Sequence, residues 1–266
     1  LIIAAVSLIG YYGMRQLNPT TGEMQHIALT RDQEIAIGLQ SAPEMAAQFG
    51  GEDPDQSIQA DVAAVGGRIA SRSIAGQTPY RFSFHVLRDA ETVNAFALPG
   101  GPIFITRGLL QRFENEAQLA GVLAHEISHV VARHSAAQIA KNQLAQGLVT
   151  AAGTAGSDDQ GGGQQAAQVA GVVAQMVQLK YGRGDEIQAD TLGVRLMSEA
   201  GYDPRALLEV MRILAESSGG ERAPEFMSSH PDPGNRREVI QQAISSRFPG
   251  GVPETLTMGR TIKVSQ

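Results

Sequence analysis

Apolar residues recur at three- and four-residue spacing in several stretches of the chain, and each such stretch predicts a helix. One runs from Thr30 to about Phe49, where Thr30 and Gln33 fit a capping box and Gly50-Gly51 closes the element. A second covers Gln56–Ser73, with Ile58, Val62, Val65 and Ile69 on one side. The strongest is Asn115–Ser135, in which Leu119, Val122, Leu123, Ile127 and Val130 share a stripe. Asn115 is its N-cap, and Glu116 complements the helix dipole in the first turn. The pattern continues past His134 to about Thr150 and returns over Gln168–Leu179. Further helices are predicted through Tyr181–Met197, from Asp203-Pro204 to about Ser217, and through Ser245.

Strand signals are fewer. Tyr80–Leu87 alternates, with Phe82, Phe84 and Val86 on one face and Arg81, Ser83 and His85 on the other. This makes His85 a surface strand residue. Phe96 and Leu98 alternate before the turn Pro99-Gly100-Gly101-Pro102, and Ile103–Ile105 returns, which predicts a hairpin. A strand ending in Pro and Gly lies at a sheet edge. The run Asn94-Ala95-Phe96-Ala97-Leu98 is therefore a candidate to pair with an extended polypeptide substrate. Arg107–Arg112 is a short helical link. The predicted fold class is α+β, mainly α-helical, with a small β-sheet beside the Asn115–Ser135 helix.

Three regions depart from these patterns. Leu1–Ile9 is almost wholly apolar and is expected to be the remnant of a signal peptide or membrane anchor, with Asn18–Gly22 a turn and linker. Residues 1–24 are thus set apart from a domain spanning 25–250, and 251–266 form a C-terminal tail, of which Thr255–Val264 is a candidate strand. Ala151–Ala167 holds no large apolar residue and reads as a flexible surface loop or insertion. With 266 residues, 42% hydrophobic, the chain can bury a sizeable core. Its net charge of −6 gives no electrostatic case for nucleic acid. Cysteine is absent, which excludes a disulfide framework and a thiolate zinc site.

A metal in this chain must use histidine and carboxylate, and His125, Glu126 and His129 spell H-E-x-x-H. On a helix, residues four apart share a face, so both imidazoles can reach one cation. Glu126 stands beside the first ligand, placed to take a proton from a water. Ordinary solvated side chains on an amphipathic helix are the bland alternative. The apolar setting, VLAHEISHVVA, argues against it, because a buried polar trio is costly without a partner. No third histidine follows at the spacing of the extended motif. Glu186 is the best candidate third ligand, and Asp190, one turn on, can hold His125 through its other ring nitrogen. A solvated face is again the alternative, favoured by Arg183 and Asp185 nearby.

The runs NAFALPGGPIFITRGLL, LAHEISHVVARHS, RGDEIQADTLG and SSHPDPGNR, in that order, resemble the HtpX-like and CAAX-prenyl-protease-type zinc metallopeptidases, a gluzincin group. The likeness is greatest to their soluble periplasmic, BepA-like branch, and covers roughly Gln25 to Ser245. It implies a zincin-type fold, one Zn²⁺ at His125, His129 and Glu186, Glu126 as general base and a supporting role for Asp190. It also implies that the His230-Pro231 loop folds over the site, with His230 a fourth ligand or transition-state donor and Arg236 near it. The activity implied is endoproteolysis of unfolded or misassembled envelope proteins in the bacterial periplasm, with membrane or outer-membrane assembly partners. A metal-stabilised assembly factor that binds without cutting is the alternative, and a cytosolic peptidase is a third reading.

Overall fold

A computed structural model describes residues 2–153, 180–217, 225–231 and 234–264. Its helices are α1 (Ile2–Gly13), α2 (Arg31–Gln48), α3 (Gln56–Arg72), α4 (Arg107–Leu110), α5 (Glu116–Val131), α6 (His134–Gly153), α7 (Arg183–Glu199), α8 (Ala206–Ser217), α9 (Glu225–Ser229) and α10 (Arg236–Arg247). The strands are β1 (Arg15–Leu17), β2 (Met24–His26), β3 (Ser83–Leu87), β4 (Ala95–Ala97) and β5 (Pro102–Thr106). The loop expected from Ala151 and the helix expected over Gln168–Leu179 lie largely or wholly outside the described residues.

Helix α5 is the axis of the domain, and every one of its residues is buried. It packs against α7, α8, α3 and β4. Small residues permit this. A side chain at Gly121 would meet Leu207 of α8 at 3.2 Å, and Ala117, Ala120 and Ala124 are fully covered. Burying a helix on all sides leaves its terminal peptide groups to be satisfied by protein, and segments from opposite ends of the chain do so. At the start, Asn115 caps Gln118 N, while Glu116 N and Ala117 N donate to the carbonyls of Arg260 and Met258. The C-terminal stretch therefore lies across α5, joined by single bridges Asn115–Thr261 and Tyr202–Thr257. At the far end, Asn18 Nδ2 donates to Val131 O and Gln25 Nε2 to Ala132 O.

The main sheet has the order β3-β5-β4, with β3 parallel to β5 and β4 antiparallel to it. The predicted hairpin is present, with Phe96 opposite Phe104. Gly100 takes a positive φ of 81° in its turn, and α2 crosses so closely that a Cβ on Gly38 would lie 1.9 Å from Pro99 O. Phe82, Phe84 and Val86 face the main core. The other face is covered too, because Leu87, Leu98 and Phe104 pack with Met45 and Phe49 from the end of α2. His85 stays partly exposed, against Glu52 and Ser83. Strand β4 is left at the sheet edge.

The periodicity that predicts one helix through Ser135 is interrupted at Arg133, whose φ is +60°. A non-glycine residue seldom adopts this conformation. Here it is fixed by a buried network: Arg133 Nε donates to Glu34 Oε2 at 2.9 Å, its Nη2 to Leu29 O at 2.6 Å, and Tyr80 donates to the same Glu34 oxygen at 2.8 Å. The side-chain interaction turns the backbone, which periodicity cannot register. Helix α1 packs on α6 but buries none of its residues, and among the described residues no helix is long and apolar enough to cross a membrane.

Removing one member of a buried ion pair leaves the other uncompensated, at about 3–5 kcal/mol. Arg133→Ala should lower the urea-unfolding free energy by about this much, and by clearly less in a Glu34→Gln background. Equal losses in both backgrounds would contradict the assigned network.

Candidate metal centre

Helix α7 crosses α5 so that its Glu186/Asp190 face meets the His125/His129 face. All four residues are 1% exposed or less, which excludes a solvated face for Glu186 and Asp190. His125 Nε2 and His129 Nε2 converge to 3.0 Å, and Glu186 lies 3.4 Å from the first through Oε2 and 3.6 Å from the second through Oε1. His230, at the end of α9, closes the group: its Nδ1 is 3.1 Å from Glu186 Oε1 and 3.3 Å from His125 Nε2. One donor atom from each of the four lies within 4.8 Å of the others. Glu126 sits beside them, with Oε1 3.6 Å from His230 Nε2.

This donor set fits a cation. Several ring nitrogens and a carboxylate point at one place and cannot satisfy one another fully. Both oxygens of Glu126, Glu186 Oε2 and His230 Nε2 are buried with no hydrogen-bond partner. Such atoms are costly in a protein interior, and a bound metal ion would relieve that cost.

The surroundings orient each donor. His125 Nδ1 is 3.0 Å from Asp190 Oδ1, and Asp190 is gripped by Arg236, whose Nε and Nη2 donate at 2.8 and 2.7 Å. Arg236 thus reaches the site through Asp190, with Nη1 3.5 Å from Glu186 Oε2. His230 stacks on Phe226 at 4.4 Å, and His129 on Tyr181 at 3.9 Å. His134 bonds His129 Nδ1 at 2.8 Å. Tyr181 and His134 were missed by motif spacing, because Tyr181 precedes α7 and His134 is brought round by the Arg133 turn. Beside the centre a cleft of about 410 Å³ runs along β4, lined by Asn94, Phe96, Ala97, Leu98, Tyr181 and His230. Asn94 Oδ1 is buried there without a partner.

Residues 56–244 match the family model described as Peptidase family M48. The chain belongs to peptidase family M48. Similar proteins include a beta-barrel assembly-enhancing protease of Yersinia pestis, 30% identical over 244 residues, covering 88% of this chain and 49% of that one. A mitochondrial metalloendopeptidase OMA1 of Schizosaccharomyces pombe is 36% identical over 179 residues, 66% of this chain and 51% of that one. The beta-barrel assembly-enhancing protease of Escherichia coli is 31% identical over 65% of this chain and 36% of its own length. The chain spans about half or less of the length of these curated relatives. The family and the donor set together point to a metal ion at this centre.

The electrostatics of this M48 centre separate its histidines. Burial lowers the pKa of His125, but bonds to Asp190 and Glu186 outweigh it and push the ring to about 9. Burial dominates at His129 and holds it well below the ordinary value. Glu186 and Asp190 resist the upward pull of burial, the first through His230 and His125, the second through Arg236 and His125, and both stay below the usual carboxylate range. Burial raises Glu126, the carboxyl placed to carry a proton.

A pKa raised from 6.5 to about 9 on folding stabilises the metal-free protein fully below 6.5, and the contribution is lost as pH rises through about 9. Thermal melting in chelator should therefore fall over that window, and the fall should shrink in Asp190→Asn, where Glu186 alone still raises the ring. A flat profile in the wild-type chain would contradict the His125–Asp190 assignment.

Proposed function

We propose that this chain is a zinc metalloendopeptidase that cleaves unfolded or misassembled proteins of the bacterial cell envelope, in the periplasm. The observation that carries the reading is the convergence of His125, His129 and Glu186 beside the unpartnered carboxylate of Glu126. His125, His129 and Glu186 would hold the zinc, which when bound acidifies water and polarises a carbonyl. Three protein ligands, with His230 displaced, fit a catalytic rather than a structural site.

Glu126 acts as the general base. Its burial raises its affinity for the proton it takes from the attacking water, and it then passes that proton to the leaving amine. Asp190 fixes His125, and Arg236 fixes Asp190. His230 fills the remaining approach in the free protein. Once a substrate carbonyl takes its place, the ring stands ready as a donor to the oxyanion, with Arg236 adding positive charge behind it.

Strand β4 would hold the substrate. Asn94 and Leu98 bond across to β5 through Thr106 N and Pro102 O. Antiparallel alternation then turns the peptide groups of Ala95 and Ala97 to the free edge. Pairing there is main-chain recognition, tolerant of sequence, and the unpartnered Asn94 oxygen can accept a substrate N–H. The similar proteins named for beta-barrel assembly and the mitochondrial metalloendopeptidase favour proteolysis in protein quality control over an assembly factor that does not cut.

Glu126→Gln tests the assignment. It should retain about one zinc per chain and lose at least ~10²-fold in cleavage of a dye-labelled unfolded polypeptide. Cleavage at the wild-type rate would overturn it.

A further inference from the structure

The two histidines on α5 are supported differently. His125 leans on a carboxylate, Asp190. His129 leans on another imidazole: its Nδ1 is 2.8 Å from Nδ1 of His134, which is 1% exposed. At that separation one of the two nitrogens carries a proton and the other accepts it. The far side of His134 decides which. Its Nε2 faces Gln188 Oε1 at 2.7 Å, with Asp185 Oδ1 at 4.0 Å, so Nε2 faces acceptors and is the protonated atom. A neutral imidazole protonated at Nε2 has a lone pair at Nδ1.

We propose that His134 is a positioning residue for His129, holding its proton on Nδ1 so that Nε2 presents a lone pair to the metal. The proposal rests on the metal-site reading above and adds a residue to it. The chain is built to deliver His134 to this place. On an uninterrupted helix, a residue five positions after His129 would lie about 140° round the axis from it. The left-handed turn at Arg133, clamped by Glu34 and Leu29 O, breaks the helix and swings His134 back onto the His129 ring. The strained residue thus serves the centre through its neighbour. Gln188 completes the relay from α7, the helix that also carries Glu186, so ligand and support are set by one helix crossing.

Two measurements test this. The first is zinc affinity by competition with a fluorescent chelator. His134→Phe, which keeps a planar ring but no acceptor, should bind zinc roughly 10–100-fold more weakly. His134→Asn, whose side-chain oxygen can replace Nδ1 as acceptor, should recover most of that loss. The second needs no variant: ¹⁵N-resolved imidazole spectra of the metal-free wild-type chain should place the proton of His129 on Nδ1 and that of His134 on Nε2. Wild-type affinity in His134→Phe, equal weakness in both variants, or a His129 proton on Nε2 would overturn the proposal while leaving the zinc site intact. A wild-type chain that takes up no zinc would overturn both.

Discussion

The structure depends on one crossing, that of α5 over α7. It buries two imidazoles and a carboxylate against one another, with a second carboxylate alongside, all of them almost fully buried. An interior of this kind is unfavourable unless something neutralises it. A cation would do so. Binding of a metal would therefore be linked to completion of the fold, because its donors come from both helices.

The rest of the domain holds α5 still. Its first peptide groups are capped by the C-terminal stretch, through Met258 and Arg260, and its last carbonyls by Asn18 and Gln25 from the N-terminal turn and strand. Behind it stands the three-stranded sheet, whose free edge, β4, runs past the metal centre. A rigid axis, a fixed donor set and an unpaired strand edge are what an extended chain needs if one of its peptide bonds is to be held at the metal. The strand edge, the axial helix with its two histidines, and the carboxylate of Glu186 come from different parts of the sequence, and the buried core joins them.

Much of this was legible in advance, for identifiable reasons. Periodicity marked α2, α3 and α5 because their apolar stripes face a core, and alternation with a Pro-Gly turn marked β4 and β5. The H-E-x-x-H spacing placed two imidazoles on one face. The pairing of Glu186 with these residues rested on resemblance and helix spacing, since a contact across sixty residues leaves no local trace. The Arg133 turn was not legible. Leu29, Glu34 and Tyr80 create it, and all are remote in sequence from the helix they break. His134 was lost with it, because its role depends on that break. Nor did alternation show that α2 covers the second face of the sheet, since Leu87 and Phe104 are buried by a helix some forty residues or more upstream.

The account turns on a single cation shared by α5 and α7. Zinc K-edge absorption of the purified chain, with the metal counted per chain, addresses it most directly. The prediction is one zinc with imidazole nitrogen and carboxylate oxygen near ~2.0–2.2 Å, and loss of the metal in Glu186→Ala. A chain that purifies and reconstitutes without zinc, or that keeps the same nitrogen and oxygen shell after Glu186→Ala, would contradict it.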